Sequence, residues 1–593
     1  MSISEKITEE ISRALNQALG MQIKIELEFP PDIELGDFTI NCYTIAREVK
    51  KSPELIAKIL SEKLKSSELI EGADQAGAYV NIKLSSCQLF SSAIEEVFRG
   101  DKLFSNIGVD KKIMVEYLSP NTNKPLHLGH LRNGCLGMAL SKILESNGYK
   151  AVKVNLINDR GIHISKSILA WLKWGNGETP ESTGIKGDHF VGKWYIKFNE
   201  EVKRNPKLEN EAQEILQKWE QGDKTIVSTW QKMNGWVYEG FDTTYKKFGF
   251  EFDKIYYESD TYKLGKNIVE EGLKKKVFYQ DTDGAIVADL PEFKEVIDSE
   301  GNKKRILWFG TDKNKKVKKV TLVRKDGTSL YMTQDLGTAV EKFGEYKLDK
   351  SICVVGSEQE YHFQALFAIL QLLGYDFAKN CYHLSYGMVY LPEGKMKSRE
   401  GTVVDADNLL DEVTDLVKDE ITKRFPDGKI GKDEVGSRSS KIALGAIKFY
   451  LLRTNPKNDI YFDPKESISL EGFTGPYCQY AYARATKIIE KANFKNEKVK
   501  YDSLGNNEER ILIQKIINLS KQITSASYDY NPTKVALGVY ELAVGFNKFY
   551  QKHQVLNASD ENLKLARLAL VEATRQSLGK GLKILGIEAI DEM

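Results

Sequence analysis

His127 and His130 stand three residues apart where a loop meets a helix. Pro120 and Pro125 enforce the loop, since each fixes its own φ and restrains the residue before it. Ahead of it, Ile113 to Val115 form an apolar run, so a strand ends near Tyr117 or Leu118. From Gly129 onward Leu136, Leu140 and Ile143 recur at helical spacing, and Asn147-Gly148 closes the helix. A second apolar run, Ala151 to Ile157, follows at once. Strand, loop, helix, strand is half of a nucleotide-binding βαβ unit. At its loop–helix junction the free backbone N–H groups and the helix dipole favour a polyphosphate. Two imidazoles at that point can donate hydrogen bonds to phosphoryl oxygens as charge builds in a transition state. Lys124 is placed to reach the same phosphates.

Other segments carry further candidates. Tyr331 and Asp335 lie four apart at the start of an expected helix and share a face; Asp335 by itself also suits a helix-capping carboxylate. Gly387-Met388-Val389 precedes a glycine-bounded basic loop, Gly394-Lys395-Met396-Lys397-Ser398-Arg399-Glu400-Gly401. Tyr477, Tyr480 and Arg484 follow the turn Thr474-Gly475-Pro476 at spacings of three and four. Such an aromatic and cationic face can stack bases and grip phosphate, or it can pack a core and make one ion pair.

These groups need a frame. A chain of 593 residues is too long for one hydrophobic core, so several domains are expected. Hydrophobic residues make up 41% and charged residues 28%, the balance of a soluble globular protein. No apolar stretch is long enough for a membrane, and the first residues lack a secretory leader, so a cytoplasmic location is expected. None of the 6 cysteines forms a Cys-x-x-Cys pair, which argues against a thiolate zinc site and for a reducing compartment. With a net charge of +1, a nucleic-acid partner must be met by local basic patches.

Residues 1–110 read as a small α+β domain, with helical spacing at Ile7, Ile11 and Leu15 and a second helix opened by Pro53. Residues 111–405 carry the two nucleotide-binding halves, the second marked by Ile352 to Val355 and Phe363 to Leu373. Between them, about 166–320 read as an insertion, mostly helical to about residue 280, whose tryptophans suit a core. The basic run Thr311 to Lys319 suits a solvated hairpin loop. Residues 406–470 read as a helical connection and 471–593 as a helix bundle.

The pattern Glu116…Ser119-Pro120-Asn121…Lys124-Pro125…His127-Leu128-Gly129-His130-Leu131-Arg132 resembles the "HIGH" region of class I aminoacyl-tRNA synthetases, in its arginyl-tRNA synthetase version. Arg324 to Asp335, Val354 to Phe363, Glu471 to Arg484 and Phe546 to Tyr550 with Met593 resemble further segments of that family, in order along the chain. The resemblance implies an α/β fold: a Rossmann-like parallel-sheet catalytic domain, an α+β N-terminal domain and an all-α C-terminal helix bundle. It implies that Glu116 and Asp335 meet a guanidinium, whose planar fork suits carboxylates. Tyr331 adds a hydroxyl, and Asn121 and Gln359 hold the α-amino end. It implies ATP contacts at His127, Gly129, His130, Met388, Lys395 and Met396, with Lys124, His127, His130 and Lys395 catalytic. The segment with Gly36, Asp37, Phe38 and Asn41 resembles the family's N-terminal module that grips the tRNA elbow, beside a plain folding role. Phe38, Asn41, Tyr477, Tyr480, Arg484 and Met593 become tRNA contacts, with tRNA(Arg), L-arginine and ATP with Mg²⁺ as partners. A monomer with no resident metal and no structural zinc is expected.

The basic loop departs from the family's usual Lys-Met-Ser-Lys-Ser: Ser398 holds the second lysine's place and Lys397 is one position early. Lys124 is the candidate to supply the missing charge, with Arg399 its rival. Three alternatives compete with this reading: another class I synthetase such as the cysteine enzyme, which would want a thiolate zinc site; a tRNA-binding protein without catalysis; and a small-metabolite adenylyltransferase, which needs no long helical region after the catalytic core.

Overall fold

The computed structural model describes residues 3–593 apart from 20–24, 26, 65–68, 101–104, 291, 298–302, 309–317, 328–329, 392–403, 426–429 and 496–498. Lys395 and Met396, with Lys397, Ser398 and Arg399, therefore lie outside the described residues, as does most of the basic run from Thr311.

The centre is a parallel sheet of 5 strands, in the order Cys381–Tyr386, Lys350–Gly356, Lys112–Glu116, Lys150–Ile157, Lys254–Tyr257. Parallel sheets are covered on both faces, which is why Ile113-Met114-Val115 and Ile352-Cys353-Val354-Val355 read as unbroken apolar runs. The chain winds outward from Lys112–Glu116 in one direction, then starts again beside it at Lys350–Gly356. The order reverses between these two strands, where Glu116 stands beside Cys353. Open α/β sheets bind ligands at such a point, outside the C-terminal ends of the strands. The histidine helix, Leu128–Ser146, joins the first two strands and is buried along most of its length.

Lys254–Tyr257, within the stretch 166–320 that reads as a mostly helical insertion, is the sheet's edge strand. Four residues between helices are too few to show a period. The helices Ile162–Trp174, Gly187–Glu201, Leu208–Glu220 and Lys224–Phe248 pack the tryptophans on one another, with Trp171 and Trp236 rings 5.7 Å apart and Trp219 and Trp230 rings 5.3 Å apart. Beyond them lie antiparallel strands between Phe278 and Val323. Among the described residues no helix is long and apolar enough to cross a membrane.

Residues 3–98 place helices on an antiparallel sheet of 4 strands. The C-terminal part is all helix: Gly475–Ala492, Asn507–Asp529, Thr533–Lys552 and Glu561–Ile584. A buried ion pair joins the two. Asp37 is 1% exposed; its carboxylate accepts from Arg510 Nη1 at 3.0 and 2.8 Å and from the Leu84 N–H at 2.8 Å. Arg510 Nη2 also donates to Ser86 Oγ at 2.8 Å, and Gln514 donates to the Asp37 carbonyl at 3.1 Å. Burial pushes the Asp37 carboxyl upward against the pull of Arg510. Gly36 makes the approach possible: its φ is +142°, and a Cβ there would meet the Ile82 carbonyl oxygen at 2.7 Å. Removing one partner of a buried pair strands a charge. Arg510→Met is therefore expected to weaken this junction by about 3–5 kcal/mol. Pairing it with Asp37→Leu is expected to recover most of that loss. Hydrogen exchange across residues 37–41 and 80–86 measures both; equal protection in Arg510→Met and wild type would refute the estimate.

Candidate active site

The site is built on a strained turn. Leu118 and Ser119, just past Glu116, have φ of +74° and +46°. Three asparagines hold it there. Asn133 Oδ1 accepts from the Leu118 N–H at 2.6 Å, and Asn155 Oδ1 accepts from the Ser119 N–H at 3.0 Å. Asn158 Nδ2 donates to the Ser119 carbonyl at 3.1 Å, and Asn121, exposed, pairs in register with Asn158. The sequence reading assigned none of these three asparagines a role. They sit where a strand or helix passes the loop, which only the fold reveals.

The turn delivers Lys124, His127 and His130. The His127 N–H donates to His130 Nδ1 at 3.1 Å, and the two rings lie 3.8 Å apart. With Nδ1 accepting, the His130 proton sits on Nε2, which becomes the donor. Burial, with Lys124 adding to it, holds His127 down to about 3; burial, then His127 and Lys124, hold His130 well below its usual value. Both imidazoles are therefore neutral donors near pH 7. Gly129 makes room for the His127 ring, since a Cβ there would meet His127 Cε1 and Nδ1 at 3.1 Å. Lys124 is half-buried; burial lowers its ammonium and Glu358 opposes the shift.

Two neighbours steady this end. The Leu128 N–H donates to the Val404 carbonyl at 3.0 Å and the Ala406 N–H to the Leu126 carbonyl at 2.9 Å, tying the histidines to the chain just after the basic loop. Arg132 is fully buried, and its guanidinium donates to the carbonyls of Gly387 (2.6 Å), Met388 (3.1 Å), Pro456 (3.1 Å) and Asn458 (2.6 Å). It thus sets the segment carrying Met388 against the histidine helix. Gln359, exposed, ends a short turn at the C-terminal end of the Lys350–Gly356 strand, next to Glu358.

The acidic end lies across the same switch point. Glu116 is buried and ion-paired to Lys342, rather than standing open. Asp335, about one-third exposed, accepts or shares a proton with His362 Nε2 at 2.6 Å. Lys342, which pairs with Glu116, follows Asp335 by two turns on the helix Tyr331–Tyr346. Tyr331 is 60% exposed as a residue, yet its hydroxyl lies near Gly161 and is pushed upward by burial, then Glu258.

Glu258 is a further candidate that the sequence does not single out. Burial pushes its carboxyl up to about 8, against the pull of Arg160, and its Oε2 is buried without a partner. With its amide oriented by these neighbours, Gln334 donates to Glu258 Oε1 at 2.8 Å and accepts from Arg160 Nη1 at 3.0 Å. Glu258 directly follows the edge strand Lys254–Tyr257, so recognising that strand would have flagged it.

The expected RNA contacts divide. Arg484 donates to Tyr480 Oη at 2.9 Å and to Asn547 Oδ1 at 2.6 Å, and lies over the Tyr480 and Tyr550 rings at 4.6 and 5.3 Å. Tyr477 instead packs on Tyr540, with ring centres 5.6 Å apart. Met593 is partly buried, next to Glu592, which pairs with Arg438 and Lys487. Phe38 needs correction. It is fully buried and packs on Phe29 at 5.4 Å, so it has no face to offer a base. Asn41 caps the helix Cys42–Val49 by accepting from the Tyr43 N–H at 3.0 Å; the exposed aromatics nearby are Tyr43 and Tyr79.

One grouping among the described residues, Asp188, His189 and Asp407, has spacing that could hold a metal ion. Lys186 Nζ donates to Asp188 at 3.1 Å and to Asp407 at 2.6 Å, and Lys247 donates to Asp407 at 2.9 Å, so ammonium groups already meet these carboxylates.

Residues 93–464 match the family of class I tRNA synthetases (R), catalytic domain; residues 3–84 match the arginyl tRNA synthetase N-terminal domain and 478–593 the DALR anticodon binding domain. The arginine–tRNA ligase of Porphyromonas gingivalis is 38% identical over 621 residues, covering 100% of both chains. That of Treponema denticola is 40% identical over 584 residues, 96% of this chain and 95% of the relative. Among solved structures, the Thermus thermophilus arginyl-tRNA synthetase superposes with a TM-score of 0.82 at 25% identity over 100% of both chains.

Proposed function

Because the chain belongs to the arginyl-tRNA synthetase family and is an arginine–tRNA ligase, we propose a division of labour among its own residues. The reaction joins L-arginine to tRNA(Arg) at the expense of ATP. The arginine carboxylate attacks the α-phosphorus, the bond to the β-phosphate oxygen breaks and pyrophosphate leaves. A terminal ribose hydroxyl of the tRNA then attacks the arginyl carbonyl, and AMP departs.

Asp335, Glu116, Glu258 and Tyr331 receive the guanidinium, and Asn121 and Gln359 the α-amino end. The observation that carries this is the buried Glu116–Lys342 pair at the switch point, with Asp335 on the same helix as Lys342, beside a neutral histidine pair. His127 and His130 donate to phosphoryl oxygens as charge grows, and the Lys124 ammonium offsets the same charge. Gly129 and Met388 line the nucleotide, with Lys395 and Met396 completing it. Mg²⁺ enters on the ATP phosphates, whose charge it neutralises; the imidazole and ammonium donors here suit phosphate oxygen and do not ligate the ion. Tyr480 and Arg484, with Tyr550 beside them, meet unstacked anticodon-loop bases, joined by Tyr477 and Met593; Asn41 belongs to the module at the tRNA elbow.

Pyrophosphate exchange with each amino acid, with and without tRNA(Arg), tests the reading. Exchange is expected with arginine alone and only when tRNA is present. Exchange driven by cysteine, or by no amino acid, would sink it.

A further inference from the structure

Lys342 lies two turns beyond Asp335 on the same face of the helix Tyr331–Tyr346, and its ammonium bonds Glu116 Oε2. The two residues are 6% and 7% exposed. The Tyr256 ring centre lies 5.2 Å from Nζ. Burial lowers this ammonium, but Glu116 outweighs it, and the net shift is upward. An ion-paired lysine thus stands inside a pocket read as the seat of a cationic substrate.

We infer that Lys342 is a positioning residue that sets specificity for arginine, an inference resting on the guanidinium site proposed above. Two physical effects support it. The first is geometric. Lys342 takes Oε2 of Glu116 and so fixes the carboxylate, while Oε1 has no hydrogen bond among the described residues and stays available to a substrate N–H. The second is the charge balance. Glu116 and Asp335 bring two negative charges and Lys342 one positive. Burial pushes Glu258 up to about 8, so it holds its proton near neutral pH, and Arg160 is paired with Glu220 at 2.7 Å. Lys342 thus offsets one of the two carboxylates, Glu116, and leaves the other for one guanidinium. Without Lys342 the pocket would hold two carboxylates at low dielectric, and the excess is relieved by protonating Glu116. The substrate then loses a charged acceptor, although Lys342 itself touches no substrate atom.

The test is pyrophosphate exchange with tRNA(Arg) present, titrating arginine and ATP separately. Lys342→Met is expected to raise the arginine KM at least tenfold with the ATP KM within twofold of wild type. Lys342→Arg keeps the pair and is expected to stay within about threefold for arginine. A lost buried partner can unfold the protein, so Glu116→Gln with Lys342→Met removes both charges together. That double variant is expected to fold with a normal Tm and still to show a raised arginine KM. An unchanged arginine KM in either Lys342→Met or the double variant would overturn the inference, as would equal losses for arginine and ATP. Asp335→Asn checks the underlying site by itself. If it leaves the arginine KM at wild type, the guanidinium reading fails, independently of what Lys342 does.

Discussion

Asp335→Ala is expected to lower kcat/KM for arginine about 10²–10³-fold while leaving the ATP KM nearly unchanged. The size follows from the cost of truncating one partner of a desolvated, hydrogen-bonded charge pair, about 2–5 kcal/mol. Asp335 is the acid on the open side of the pocket, since Glu116 lies deeper and already holds Lys342. Its loss also removes the oxygen that lies 2.6 Å from His362 Nε2. Exchange kinetics with arginine varied at saturating ATP and tRNA measure the effect. A loss below threefold would remove Asp335 from the substrate's first contacts.

The other large effect falls on Lys124→Ala, whose kcat for activation is expected to drop about 10²–10³-fold, the range seen when a donor to a developing oxyanion is removed. Arginine binding should change little, because Lys124 belongs to the histidine end of the cleft. The reasoning is electrostatic. His127 and His130 are held neutral by burial and by Lys124, so they lend hydrogen bonds without adding full charge. Lys124 is then the full positive charge that the described residues bring to this end. Single-turnover formation of arginyl-adenylate isolates the step. Near-normal rates in Lys124→Ala would hand the role to a residue of the basic loop, Arg399 first.

Much of the frame was legible beforehand, and the reasons are local. The histidine helix was readable because Leu136, Leu140 and Ile143 repeat at its period and Asn147-Gly148 ends it, close to the observed Leu128–Ser146. The strands Lys112–Glu116 and Lys350–Gly356 were readable because burial on both faces makes a continuous apolar run. The edge strand Lys254–Tyr257 was not, and the reading of Glu258 went with it. Phe38 misled for another reason: an aromatic in a recognised segment says nothing about which way it points, and here it faces the core.

By itself the sequence determined the class of chemistry, because that depends on side-chain types at short spacing: His127 and His130 beside Lys124, and Tyr331 four residues before Asp335. The tertiary structure alone decided who partners whom. It put Lys342 on Glu116, 226 positions away in the chain, His362 on Asp335 and Arg510 on Asp37, 473 positions away. Such pairings arise from how strands order in a sheet and how modules dock. Charge and burial then follow from the neighbours that docking supplies, and no local pattern encodes them.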